Sequence, residues 1–71
     1  MKNLFIAYDL TLGEMVRLER LKRSWRQIDL ASKAGVQMAY ITAIEKDRYL
    51  SKNRKLKILR TLGLESEAES S

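Results

Sequence analysis

The 71-residue sequence predicts a small all-α domain of four helices preceded by an extended segment. Three observations carry this reading. Side-chain spacing changes from loose alternation to a helical period at about residue 11. Apolar residues then recur three and four apart in successive short blocks. Gly35 and Gly63 fall where two of those blocks end, at the position where a helix reverses its chain.

Residues 1–10 contain "NLFIAYDL", whose aromatic and β-branched content favours an extended segment with strand character over a helix. Leu4, Ile6, Tyr8 and Leu10 share one face of such a strand, and Phe5 and Ala7 the other, so both faces carry apolar surface. A lone strand cannot satisfy its backbone groups. Two outcomes are open: pairing with the same segment of a second copy, through Leu4, Phe5, Ile6 and Tyr8, or folding back onto the first helix.

The domain proper is expected over residues 11–64. Thr11 is placed to cap the first helix, with Glu14 three residues later as in a capping box. In that helix Val16 and Arg20 share one face, and Leu18, Leu21 and Trp25 another. The second helix, in "RQIDLASKAG", is about two turns long and gathers Leu30, Ala31 and Ala34 on one side. The third, over 37–46, puts Ile41 and Ile44 on an inner face. Its outer face, Met38, Ala39, Thr42, Ala43 and Lys46, is small and weakly polar where an ordinary solvated face would carry Glu, Lys and Gln. Ser51 is placed to cap a fourth helix with a stripe of Leu56, Ile58, Leu59 and Leu62. The acidic "ESEAESS" of residues 65–71 reads as a disordered tail.

Composition narrows function. The chain has no Cys and no His, which removes thiolate nucleophiles, the usual zinc ligand sets and imidazole acid–base chemistry. No paired acids or nucleophile with a base stand out, so neither catalytic residues, a metal nor a cofactor is expected. No apolar run reaches the ~18 residues of a membrane span, and the N-terminus lacks a signal peptide's apolar stretch and cleavage site, so a cytoplasmic protein is expected. The formal charge is +5, with 14 Lys and Arg against nine acids; three of those acids lie in the tail, so residues 1–64 carry +8. A basic body of this size suggests a polyanionic partner, and nucleic acid before others.

Two short helices joined at Gly35 within a basic four-helix domain match a helix-turn-helix. The stretch "RQIDLASKAGVQMAYITAIEK" resembles the lambda-repressor and Cro type of this motif, the family also named after the xenobiotic-response-element repressor. The resemblance rests on Gln27, Leu30, Ala31, Gly35, Val36, Ile41 and Glu45, with Arg20, Ser51, Leu62 and Gly63 outside the motif, and covers residues 12–64. It implies a compact lambda-repressor-like domain, a structural ion pair between Arg20 and Glu45, and a third helix that enters the major groove of double-stranded DNA. The expected base contacts are Gln27, Gln37, Met38, Ala39, Thr42 and Ala43. The expected phosphate contacts are Arg26, Tyr40, Lys46, Arg48, Lys52 and Arg54. For Tyr40 a half-buried core position is the competing reading.

The chain also departs from the family. Arg26 and Gln37 stand where Ser or Thr usually caps the second and third helices, so weaker caps are expected. The acidic tail stands in place of the usual fifth helix, which leaves the mode of dimerisation open. The leading expectation is a homodimeric transcriptional regulator acting as a repressor. The alternatives are an antitoxin that binds operator DNA and a toxin protein, and a protein-interaction module.

Overall fold

The computed structural model describes residues 10–66, and the expected dimerisation residues Leu4, Phe5, Ile6 and Tyr8 lie outside that range. Four helices follow in order: α1 (Leu12–Lys22), α2 (Gln27–Ala34), α3 (Met38–Glu45) and α4 (Lys52–Thr61). Each of the other three packs against α3. The core is Val16 from α1, Leu30 and Ala31 from α2, Ile41 and Ile44 from α3, Leu50 from the following loop, and Ile58, Leu59 and Leu62 from α4 and its end. At eight residues, α2 and α3 are too short to hold a helix in isolation, so this shared apolar contact is what keeps them folded.

All four helices stop in the same way. A residue in left-handed conformation follows the last turn: Ser24 at φ 58°, Gly35 at 73°, Asp47 at 57° and Gly63 at 73°. The next backbone N–H then reaches back to a carbonyl five residues earlier, Trp25 to Arg20, Val36 to Ala31, Arg48 to Ala43 and Leu64 to Leu59. This is the Schellman arrangement, which satisfies orphan carbonyls and turns the chain sharply. Trp25, Val36 and Leu64, the residues just after the reversal, fold back onto the core. Glycine takes the left-handed slot freely at two of the four sites, whereas Ser24 and Asp47 each bear a cost of about 1 kcal/mol.

The starts of the helices differ. Thr11 caps α1 as expected, its hydroxyl accepting from the Glu14 N–H at 3.1 Å while the Glu14 carboxylate accepts from the Thr11 N–H at 2.9 Å. At α2 the Arg26 side chain makes no cap; instead Asp29 accepts from the Arg26 backbone N–H at 2.7 Å. Gln37 and Ser51 occupy the N-cap positions of α3 and α4 without a side-chain hydrogen bond, so the expected Ser51 cap does not form. The hydroxyl leaves the first N–H groups of α4 open.

Three expectations are corrected by the packing. Trp25 does not extend the α1 stripe, because α1 ends at Lys22 and Trp25 lies in the turn. Lys33 and Arg23 lie over its ring, 5.0 and 5.5 Å from the centroid. Leu18 and Leu21 remain on the helix surface, 48% and 50% exposed. Ala43 does not belong to the outer face of α3; it is half-buried and packs on the core, because helices close on α3 from several sides. Residues 65 and 66, expected to begin the disordered tail, are helical, and the rest of the tail lies outside the described residues.

The end of α3 is fastened to the start of α1. Asp47, held in its left-handed turn, accepts from the Gly13 N–H at 2.9 Å and from the Thr11 hydroxyl at 2.7 Å. Gly13 is buried there: a Cβ on it would meet the Ile44 carbonyl oxygen, the Glu45 carbonyl oxygen at 2.8 Å and Asp47 Oδ1 at 2.9 Å. Alanine is favoured over glycine inside a helix by about 1 kcal/mol, but here two of the three contacts are rigid backbone and the third is the carboxylate that fastens the turn. Gly13→Ala is therefore expected to lower the thermal midpoint, against its helix propensity; a midpoint equal to or above the parent's would contradict the close approach.

Candidate nucleic-acid interface

The site begins beneath the surface, with Arg20. Its Nε donates to Glu45 Oε2 at 2.7 Å and its Nη2 to Glu45 Oε1 at 3.0 Å, a two-pronged fork between α1 and α3. The remaining nitrogen, Nη1, donates to the Trp25 carbonyl at 2.9 Å and ties down the α1–α2 turn. The two side chains are only 9% and 6% exposed. Hydrogen bonding to Glu45 raises the Arg20 pKa above its ordinary value, against the opposing effect of burial, so the guanidinium stays charged. The expected ion pair is thus present.

From Glu45 the hydrogen bonding continues outward. Gln27 Nε2 donates to Glu45 Oε1 at 3.2 Å, and the Thr42 hydroxyl donates to Gln27 Oε1 at 3.1 Å. These residues, with Arg17 and Lys46, line an open depression of about 260 Å³ between α1, the start of α2 and α3. Arg17 was not anticipated from the sequence. Its signal is the three-residue spacing from Arg20, which puts the two on neighbouring positions of one helix.

Around this depression the expected contact residues fall into groups. Met38 and Ala39 are exposed on the first turn of α3 beside exposed Gln37, and Thr42 follows one turn on, half-buried. Together they form a patch without charge. Tyr40 is half-buried against the core, the competing reading for that residue, and carries the Arg54 guanidinium 4.4 Å from its ring centroid. Lys46, Arg48 and Lys52 are exposed and make no ion pair among the described residues.

Of the other basic residues nearby, Arg17 is exposed and makes no ion pair among the described residues, whereas three more are already engaged. Lys22 and Arg23 both hold Glu19, at 3.1 and 2.9 Å. Arg26, placed with the phosphate contacts, is forked onto Asp29, with Nε and Nη2 each at 3.1 Å. Free positive charge is therefore concentrated after α3.

Helix starts sharpen the asymmetry. α1 and α2 carry Glu14 and Asp29 in their first turns, where an acid complements the helix dipole. α3 and α4 carry no acid there, and α4 opens instead with Lys52, Arg54 and Lys55. Both uncapped starts thus present open N–H groups and positive potential, the arrangement that receives an anion.

A compact all-α domain that displays the second helix of a helix-turn-helix on a basic surface defines a DNA-binding class. The family described as Helix-turn-helix matches residues 16–68, three quarters of the chain, and the protein belongs to it, in its lambda-repressor and Cro branch. It is accordingly a DNA-binding transcription regulator, of a family that is not typically enzymatic. No curated relative and no solved structure matches it. Among the described residues no helix is long and apolar enough to cross a membrane.

Two outcomes follow for the scaffold of the site. Arg20→Ala leaves the Glu45 carboxylate buried and unpaired, so stability is expected to fall by about 3–5 kcal/mol, read as a drop in thermal midpoint before any DNA is added. The second concerns acid. The Arg26 guanidinium and backbone N–H hold the Asp29 carboxyl below its ordinary 3.8. A depressed folded pKa means that the contribution is complete above about pH 4 and lost as pH falls through the depressed value. In a series of thermal midpoints against pH, Asp29→Asn should flatten that acid limb and lower the midpoint at neutral pH; a limb as steep as the parent's would assign it to other carboxylates.

Proposed function

We propose that the protein is a cytoplasmic repressor that occupies operator DNA as a homodimer, with α3 of each copy in the major groove. The observation that carries this reading is the pairing of an uncharged patch on α3 with uncapped, acid-free starts at α3 and α4. In the groove, Met38, Ala39 and Thr42 face base edges, with Gln37 at the helix start and Gln27 beside them. Ala43, packed on the core behind this patch, is not placed among the base contacts. Lys46, Arg48, Lys52 and Arg54, with Tyr40 steadying Arg54, meet the backbone on the α4 side, where phosphate oxygens supply what the open helix starts lack. Arg26 contributes on the other side to the extent that it releases Asp29.

Binding is expected to be specific and salt-dependent, with log K falling against log salt by about 0.9 for each phosphate met. Arg48→Ala and Lys52→Ala should each weaken all sequences alike and flatten the slope by about one unit, whereas Ala39→Glu should abolish recognition of the selected operator. Equal losses on operator and random DNA in both groups would contradict this division.

The dimer is assigned to the N-terminal segment. Leu18 and Leu21 stand exposed on α1. Nine extended residues span about 30 Å, while Thr11 to Leu21 is about 15 Å along the helix, so the segment is long enough to cover them. Paired with its copy across a two-fold axis, it would set the two α3 helices about one DNA turn apart. The same leucines are the surface that an antitoxin would offer to a toxin protein, the second reading. Deleting residues 1–9 is expected to give a monomer with weakened operator binding, measured by sedimentation and titration; a truncated chain that remains dimeric at micromolar concentration would remove the segment from the interface, and a partner protein co-purifying in place of the second copy would favour the antitoxin.

A further inference from the structure

The hydrogen bonds that run from Arg20 to the surface have a direction. Glu45 is a carboxylate held by a guanidinium, so it only accepts. Of the two ends of the Gln27 amide, only Nε2 can therefore face it. That choice turns Oε1 toward Thr42, and an amide oxygen has no hydrogen to give. The Thr42 hydroxyl must donate to it, at 3.1 Å. The one other internal group near this hydroxyl is the Met38 carbonyl at 3.5 Å, also an acceptor. That contact is too long to hold the hydrogen by itself, so Gln27 Oε1 is what commits the Thr42 hydrogen inward, and the hydroxyl oxygen presents lone pairs to the depression outside.

We infer that the relay Arg20–Glu45–Gln27 makes Thr42 an acceptor-only reader, which selects an exocyclic amino group on a base: N6 of adenine or N4 of cytosine. A free threonine hydroxyl would not discriminate, since it serves donors and acceptors alike. Here a buried ion pair, which touches no DNA, sets the polarity of a side chain two hydrogen bonds away. The inference rests on the placement of α3 in the major groove proposed above.

The test begins with selection of bound sequences from a random duplex pool for the wild type and for Thr42→Val, which keeps the shape and methyls but has no hydroxyl. The base whose preference changes between them is the one Thr42 faces. The expectation is that the wild type requires adenine or cytosine there. Removing the amino group, with purine in place of adenine or 2-pyrimidinone in place of cytosine, should cost the wild type about fivefold in affinity and Thr42→Val nothing. Gln27→Leu, which releases the hydroxyl hydrogen, should admit guanine or thymine at the same position; its thermal midpoint separately reports any cost to the fold.

A required guanine or thymine in the wild type, or an equal loss in both proteins on removing the amino group, overturns the inference. So does an unchanged preference in Gln27→Leu. An operator selected identically by the wild type and Thr42→Val overturns it while leaving the groove placement of α3 intact. Failure of the wild type to select any sequence refutes that placement, and the inference with it.

Discussion

The fork between Arg20 and Glu45 is the joint on which the rest of the structure depends. α3 is eight residues long, and its strictly inner face is little more than Ile41 and Ile44. Two apolar side chains bury a helix but do not set its rotation closely, since packing is tolerant of small turns about the axis. A planar guanidinium meeting a planar carboxylate is not tolerant: both prongs bond only in one relative orientation. Such a buried pair adds little net stability over apolar side chains of similar volume. What it adds here is setting, because the third guanidinium nitrogen also fixes the α1–α2 turn at Trp25 and so refers α3 and α2 to the same point on α1.

The repeated helix ending shows how far the fold was legible in the sequence, and where legibility stopped. Gly35 and Gly63 mark two of the four reversals openly, as glycines following apolar periods do. Ser24 and Asp47 hold the same backbone conformation more quietly, since serine gives no sign of it and aspartate only a mild preference. Asp47 offsets its strain by accepting from Thr11 and Gly13 across the fold, a contact spanning more than thirty residues that no local pattern contains. Thr11 and Glu14, a cap within one turn, could be read directly. The misassigned residues share one cause: whether Ala43 faced in or out, and whether Trp25 prolonged α1, depended on neighbours that arrive only with the tertiary fold.

The site divides along the same line. Its residue types, the small outer face of α3 and the cations after it, were visible as composition on a helical wheel. Which cations are free was not, because Glu19 and Asp29 engage Lys22, Arg23 and Arg26 through spacings that are common on any helix. The coupling of Gln27 to Thr42 joins two helices and was equally hidden. The absence of acids from the first turns of α3 and α4 was in plain view, yet it acquires meaning only beside the acids that α1 and α2 do carry.

The fastening of Thr11 to Asp47 has a mechanical consequence. The chain enters the domain at a residue bonded directly to the turn that closes α3. A change in the position of the leading residues is therefore felt at two places at once, by α1 through the backbone and by the turn that closes α3 through this one exposed hydrogen bond.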